Sequence, residues 1–298
     1  SPQEQLQKML LLAETKADDS VDYYIFPETA LPRHIWEGKL YNHDQYKVVR
    51  QFQRQHLTSK VIIGLSSARH FGVGVKKSST ARRYSDRGDW YESYNTAMYM
   101  DDSEEVDIYH KSKLVLGVEK IPFPSVFKYF EKFAIDLGGA TGSLTGQIQR
   151  SNFESKGEEG VVSPIICYES VYGEYVTGYV QNGANVFTII TNDGWWEDTP
   201  GYRQHLAYAK LRAIENRRSI ARSANTGISA FINQRGDVSQ ATQWWMPAAI
   251  SESLSLNEKQ TIYTQNGDVL GRLAAFLTLL TLLWCVVKHY STSKFSLR

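Results

Sequence analysis

The chain has 298 residues, of which 42% are apolar, 22% charged and 12% aromatic. That balance excludes a disordered segment, a collagen and a coiled coil, and the length suffices to bury a core without disulfides or a structural metal. Thirty-three Lys and Arg against 32 acids leave a net charge of +1, so no global field favours nucleic acid. Two cysteines, Cys167 and Cys285, exclude a disulfide framework.

Residues 4–16 (EQLQKMLLLAETK) carry Leu6, Met9 and Leu10 on one side of a predicted helix. Runs rich in Val, Ile, Tyr and Phe, bounded by Gly, Asn, Asp or Pro, predict strands at 22–26, 60–67, 95–100, 161–168, 185–192 and 227–233. Helices are predicted over 41–57, 170–181 and 201–218; in the last, Tyr202, Leu206, Ala209 and Ala213 make one buried face. Strands and helices mixed at this rhythm imply an α/β chain or a layered αββα architecture. The basic, polar stretch 69–90 reads as a solvated loop. The glycines of 136–146 lack the Gly-Lys-Ser/Thr ending of a phosphate loop.

From Val269 to Val287 the chain reads VLGRLAAFLTLLTLLWCVV, about one membrane span with Arg272 near its start, where an arginine can snorkel. The run from Leu273 is apolar all round rather than striped, which argues against a buried core helix. Lys288, His289, Lys294 and Arg298 follow it and mark the cytoplasmic side. The expected division is a catalytic unit over 1–268, a transmembrane helix over 269–288 and a cytoplasmic tail over 289–298. The unit before the span then lies across the membrane from the tail, and a membrane-inserted part ahead of Ser1 is expected to bring it there.

Three reactive residues stand out; Glu28 and Cys167 lie at the ends of strands predicted above, where layered α/β folds place their chemistry. Glu28, in IFPETALP, follows a strand and a proline that would hold a general base rigidly, although a surface acid fits the same place. Lys111, in YHKSKLVLGVEKIPF, has Tyr109, Leu114, Val115 and Leu116 around it; a cation in that setting needs a carboxylate, and Glu119 follows. Lys113 competes with it. Cys167, in SPIICYES, sits on a strand-to-helix turn, where a nucleophile gains from nearby N–H groups; a buried structural cysteine is the alternative. A thiol with a free pKa near ~8.5 needs a base or a cation to react. Cys285, inside the apolar run, reads as inert.

Glu, Lys and Cys in that order, together with TNDGWWED (191–198) and the Arg212, Glu215 and Asn216 positions after it, resemble the nitrilase, or carbon–nitrogen hydrolase, superfamily. With the C-terminal span added, the pattern resembles its apolipoprotein N-acyltransferase branch, over roughly residues 5–290. The resemblance implies a nitrilase-like αββα sandwich followed by one transmembrane helix. It implies Glu28 as general base, Lys111 as oxyanion-stabilising lysine and Cys167 as nucleophile. Glu119 would support the lysine, Tyr168 and Glu169 would follow the cysteine as in the family, and Trp195 and Trp196 would form an aromatic loop beside a lipid entrance. No metal or cofactor is implied, and the histidines show no metal-ligand spacing. The branch also has an N-terminal transmembrane bundle and a first strand ahead of the helix at 4–16, neither of which is in this sequence. Leu116 stands where many members have proline.

The implied reaction moves an acyl chain from a membrane phospholipid, through a Cys167 thioester, to the α-amine of a diacylglyceryl-cysteine at an apolipoprotein N-terminus. The implied location is the bacterial inner membrane, with the catalytic unit on the periplasmic side. Two rivals remain: a membrane-anchored amidase or nitrilase using the same triad with water as acceptor, and a catalytically silent binding module.

Overall fold

A computed structural model describes residues 1–73, 75, 78–84, 88–120, 143–154 and 160–295, with side chains described as far as residue 290. Most of the expected loop 136–146 lies outside the described residues. Helix α1 (Pro2–Glu14) opens on a capping box: the Ser1 hydroxyl accepts from the Glu4 N–H, and the Glu4 carboxylate takes the N-terminal ammonium. Leu6 and Leu10 are buried on its inner side and Met9 half-buried, as the spacing predicts.

The first sheet contains β1 (Tyr23–Ile25), β2 (Leu31–Trp36), β3 (Lys60–Phe71), β4 (Arg82–Arg83), β5 (Trp90–Met100) and β6 (Val106–His110). β1 and β2 pair in parallel with successive halves of β3, while β3, β4 and β6 each pair antiparallel with β5. Helix α2 (Asp44–Gln55) packs with α1 on its outer face, where Leu6, Leu31, Ile35, Val49, Phe52 and Ile63 form one core. Each such aliphatic side chain contributes roughly 1.5–3 kcal/mol by leaving water.

The second sheet runs β12-β11-β10-β9-β8-β7. Its strands are β7 (Phe153–Glu154), β8 (Val161–Ile166), β9 (Val186–Asn192), β10 (Ile220–Asn225), β11 (Ala230–Ile232) and β12 (Val238–Ser239). Helices α3 (Gly173–Gln181) and α4 (Gly201–Asn216) cover it. Tyr202, Ala209 and Ala213 are buried and Leu206 partly so, so the predicted face of α4 is the inner one. A second core joins Ile62, Ala97, Tyr99 and Tyr109 of the first sheet to Ile165, Phe187 and Ile189 of the second. The layers therefore run helix, sheet, sheet, helix, which is the nitrilase-type α/β fold.

Three expectations need correction. The stretch 69–90 is not one loop: β3 continues to Phe71, and β4 and the start of β5 fall inside it. The expected strand 161–168 stops at Ile166, because a 3-10 turn begins at Cys167 and runs to Val171. The helix expected from residue 170 therefore starts only at Gly173.

After a short α5 (Ile262–Asn266), helix α6 runs from Val269 to Phe295. Its segment Val269–Tyr290 is long and apolar enough to cross a membrane, and none of its most apolar window is buried against the protein.

Candidate active site

Strand direction gathers the chemistry at one end of the sandwich. β1, β3 and β6 run the same way, because β3 and β6 both oppose β5. Glu28 follows β1, and Lys111 follows β6 directly. In the second sheet β8, β9 and β10 are parallel, so Cys167 and the Asn192–Asp193 step leave from neighbouring carboxyl ends.

Glu28, Lys111 and Glu119 meet in one buried cluster. The Lys111 Nζ donates to Glu28 Oε1 at 3.0 Å and to Glu119 Oε1 at 2.9 Å. Lys111 is 1% exposed and Glu28 3%. Asn95, from β5, donates through Nδ2 to the same two oxygens, at 2.6 Å and 2.9 Å. The remaining carboxylate oxygens accept backbone N–H groups: Asn192 N–H to Glu28 Oε2 at 2.7 Å, and Val115 N–H to Glu119 Oε2 at 2.8 Å. A buried charge is tolerable when it is paired and its lone pairs are met, and here all four oxygens are met. Burial works against the charge on Lys111, but Glu28 and Glu119 outweigh it and hold the ammonium well above the ordinary lysine range.

The expected apolar setting of Lys111 is corrected in one respect. Leu116 turns out to solvent and Leu114 and Val115 are only half-buried, so the carboxylates and Asn95, rather than aliphatic neighbours, enclose the ammonium. Lys113 lies apart from this cluster; its Nζ sits 5.4 Å and 5.1 Å from the ring centres of Tyr172 and Tyr175.

Cys167 is buried and has φ +48°, a left-handed conformation that costs a non-glycine residue about 1–3 kcal/mol. Burial and the nearby charge of Glu28 push its thiol up to about 12, with Lys111 and the Thr191 hydroxyl pulling the other way. The resting sulfur is therefore a thiol, and any attack by it needs a base at that moment. Thr29, directly after Glu28, is also left-handed at φ +50°.

Glu169 ties the loop after Lys111 to the cysteine turn. Its carboxylate accepts from Ile166 N–H at 2.9 Å, Ser112 N–H at 2.6 Å and the Tyr109 hydroxyl at 2.7 Å. Burial raises its pKa, against the opposing pull of those donors. Tyr168 is half-buried, its ring edge-on to Tyr172 at 5.3 Å. Trp195 and Trp196 lie in the 3-10 turn Asp193–Trp196, 46% and 43% exposed. That turn begins one residue beyond the Asn192 N–H that holds Glu28.

Sequence reasoning missed Asn95, Asn192 and Gly64. Asn95 opens the predicted strand 95–100, and a polar residue in so apolar a run was the available signal. Gly64, on β3, lies against the Glu28 backbone: a Cβ there would sit 2.6 Å from Glu28 Cα and from Thr29 N. Among the described residues, no group of three His, Cys, Asp or Glu side chains is placed to hold a metal ion.

Comparison with known proteins agrees with this architecture. The chain is 31% identical over 277 residues to an apolipoprotein N-acyltransferase of Chlorobaculum tepidum, covering 90% of this chain and 50% of that one. It is 23% identical to apolipoprotein N-acyltransferase 1 of Treponema denticola, covering 91% of this chain and 50% of that one. The chain thus spans about half the length of these relatives. Among solved structures, an amidase from Nesterenkonia sp. superimposes with a TM-score of 0.58 at 15% identity, covering 91% of this chain and 90% of that one, which shows a shared fold. Residues 1–262 match the carbon-nitrogen hydrolase family, and with a paired-sheet sandwich of the same type around a buried Glu, Lys and Cys, the chain belongs to that family.

Proposed function

We propose that the protein is an acyltransferase that moves a fatty acyl chain from a membrane phospholipid to the N-terminal α-amine of a diacylglyceryl-apolipoprotein. The observation that carries this reading is the buried Lys111 held between Glu28 and Glu119 beside the strained Cys167, in a chain 31% identical to a relative of that name.

Glu28 takes the proton of Cys167 as the sulfur attacks the ester carbonyl. The thiol's high pKa makes this base necessary, because a standing thiolate is absent. Lys111 and the Tyr168 N–H stabilise the tetrahedral oxyanion. The C–O bond breaks, the lysophospholipid leaves with the proton returned by Glu28, and a thioester remains on Cys167. The acceptor amine then attacks the thioester. Its proton passes to Glu28 and on to the departing sulfur, which leaves an amide and a free thiol. Glu119 and Asn95 hold Lys111, and Glu169 holds the cysteine turn.

Transfer is favoured over hydrolysis by the exposed Trp195–Trp196 pair and the unburied apolar helix, both suited to a lipid boundary. The catalytic unit, residues 1–268, lies on the periplasmic side of the bacterial inner membrane, the span follows, and the tail is cytoplasmic. To test this, the protein is incubated with phospholipid vesicles and a diacylglyceryl-cysteine peptide. The expected product is the N-acylated peptide; free fatty acid with unmodified peptide would favour the anchored amidase instead. A fluorescent protein fused after Arg298 should light up and an alkaline phosphatase there should stay silent, the reverse pattern contradicting the topology.

A further inference from the structure

Behind the nucleophile lies a second buried polar cluster, formed by Asp193, His205 and Arg222, which the proposed chemistry does not use. Asp193 is fully buried; Arg222 Nη2 donates to its Oδ2 at 2.7 Å, and His205 Nδ1 donates to its Oδ1 at 2.8 Å. Burial works against the Asp193 charge, but the His205 hydrogen bond and the Arg222 charge outweigh it and hold the carboxyl below its usual range. The other nitrogen of the ring, His205 Nε2, lies 3.1 Å from the carbonyl oxygen of Cys167 and 3.0 Å from Ser170 Oγ. The Ser170 hydroxyl itself donates to that carbonyl at 2.7 Å.

We infer that His205 is a positioning residue: with a hydrogen on each ring nitrogen, it donates from Nδ1 to Asp193 and from Nε2 to the carbonyl of Cys167, and so keeps the nucleophile in its left-handed conformation. A left-handed cysteine persists only where its surroundings over-determine it. Three contacts do so here: Ile166 N–H on Glu169 from the strand side, and His205 and Ser170 on the cysteine carbonyl from the helix side. The anchor reaches the rest of the site as well. Thr191 Oγ1 donates to Asp193 Oδ1 at 3.0 Å, its hydroxyl lowers the thiol's pKa, and the adjacent Asn192 N–H holds Glu28. One segment, 191–193, thus sets the sulfur, the base and the histidine relative to one another. Gly227 makes room for it, because a Cβ there would overlap the Asp193 carboxylate.

This inference rests on Cys167 as the nucleophile, and its test separates the two claims. In a Cys285→Ser background, the chain is mixed with p-nitrophenyl butyrate and the burst of p-nitrophenolate is followed in a single turnover. Two polar replacements split the two ends of the ring. His205→Asn keeps a donor near Nδ1 for Asp193 and loses the reach to Cys167; His205→Gln places an amide nitrogen near Nε2. The acylation rate is expected to fall about tenfold to a hundredfold in His205→Asn, the size of a misplaced reacting group, with the half-saturating ester concentration shifted less than about threefold. His205→Gln is expected to recover to within about fivefold of the parent. A parent-like rate in His205→Asn, or a His205→Gln as slow as His205→Asn, overturns the positioning role and leaves the nucleophile assignment intact. A parent whose burst persists in Cys167→Ser overturns the nucleophile and this inference with it.

Discussion

The buried carboxylate–lysine cluster and the C-terminal helix reverse the usual placement of residues in opposite directions. In the cluster, Lys111 and Glu28 are withdrawn from water almost completely. In the helix, seven leucines between Leu270 and Leu283 are each 46–79% exposed. The first reversal is stabilised from within, since each carboxylate oxygen has its donor. The second has no such partner among the described residues. An apolar surface of that extent is stable in a lipid environment, where its side chains meet hydrocarbon. The cluster can thus be broken by removing one partner, and the helix by changing its surroundings.

The largest effect is expected from Lys111→Met. It leaves Glu28 and Glu119 facing each other without the cation, so stability should fall by about 3–5 kcal/mol, and acylation should be lost. Chemical denaturation and a burst assay check both. The sharpening control is Lys113→Met, two positions on, whose cation rests on tyrosine rings outside the carboxylate pair.

Glu28→Gln should lower the acylation rate by a factor on the order of 10² or more, the usual size for a lost general base. It should move the thiol the other way. Glu28's charge raises the Cys167 pKa, so removing it lowers that pKa and enlarges the thiolate fraction at any pH below it. Iodoacetamide should then alkylate Cys167 faster at pH 9 while acyl transfer slows. Parallel slowing of both would contradict the placement of the charge.

Gly64→Ala probes the same cluster through its backbone. The new Cβ would overlap Glu28 Cα, so a loss of about 1–3 kcal/mol is expected, with a larger proportional loss of activity. Thermal unfolding beside the burst assay separates the two.

For the helix, Leu279→Arg puts a charge in the middle of the apolar run at a cost of about 2.5–3.5 kcal/mol for a span. Weaker retention with vesicles in flotation is the expected outcome, with the burst of the soluble portion unchanged. Lys113→Met is expected to be the mildest, within about threefold of the parent in acylation rate, because Lys111 and not Lys113 faces the carboxylates.

Much of this arrangement is legible in the sequence because short apolar runs end where the chemistry begins. Strand signals at 22–26, 161–168 and 185–192 bring Glu28, Cys167 and the Asn192–Asp193 step to strand ends, and the resemblance supplies the roles expected of Glu28, Lys111 and Cys167. β2 escaped because Leu31 and Ile35 are buried while Pro32, Arg33 and His34 between them are exposed, which breaks alternation. β10 escaped because its Arg222 looks like a surface residue until Asp193 is placed against it. Asn95 and His205 were missed for a shared reason. Each acts through partners far away in the chain, Glu28 and Glu119 for one and Cys167 for the other, and no local pattern encodes such pairs.

The central claim, that Cys167 carries the acyl group, is tested most directly by intact mass analysis of the protein after incubation with phospholipid vesicles alone. The expected result is an added fatty acyl mass on Cys167 that neutral hydroxylamine releases, absent from Cys167→Ser and retained in Cys285→Ser. An adduct that survives Cys167→Ser, or one that resists hydroxylamine, would contradict it.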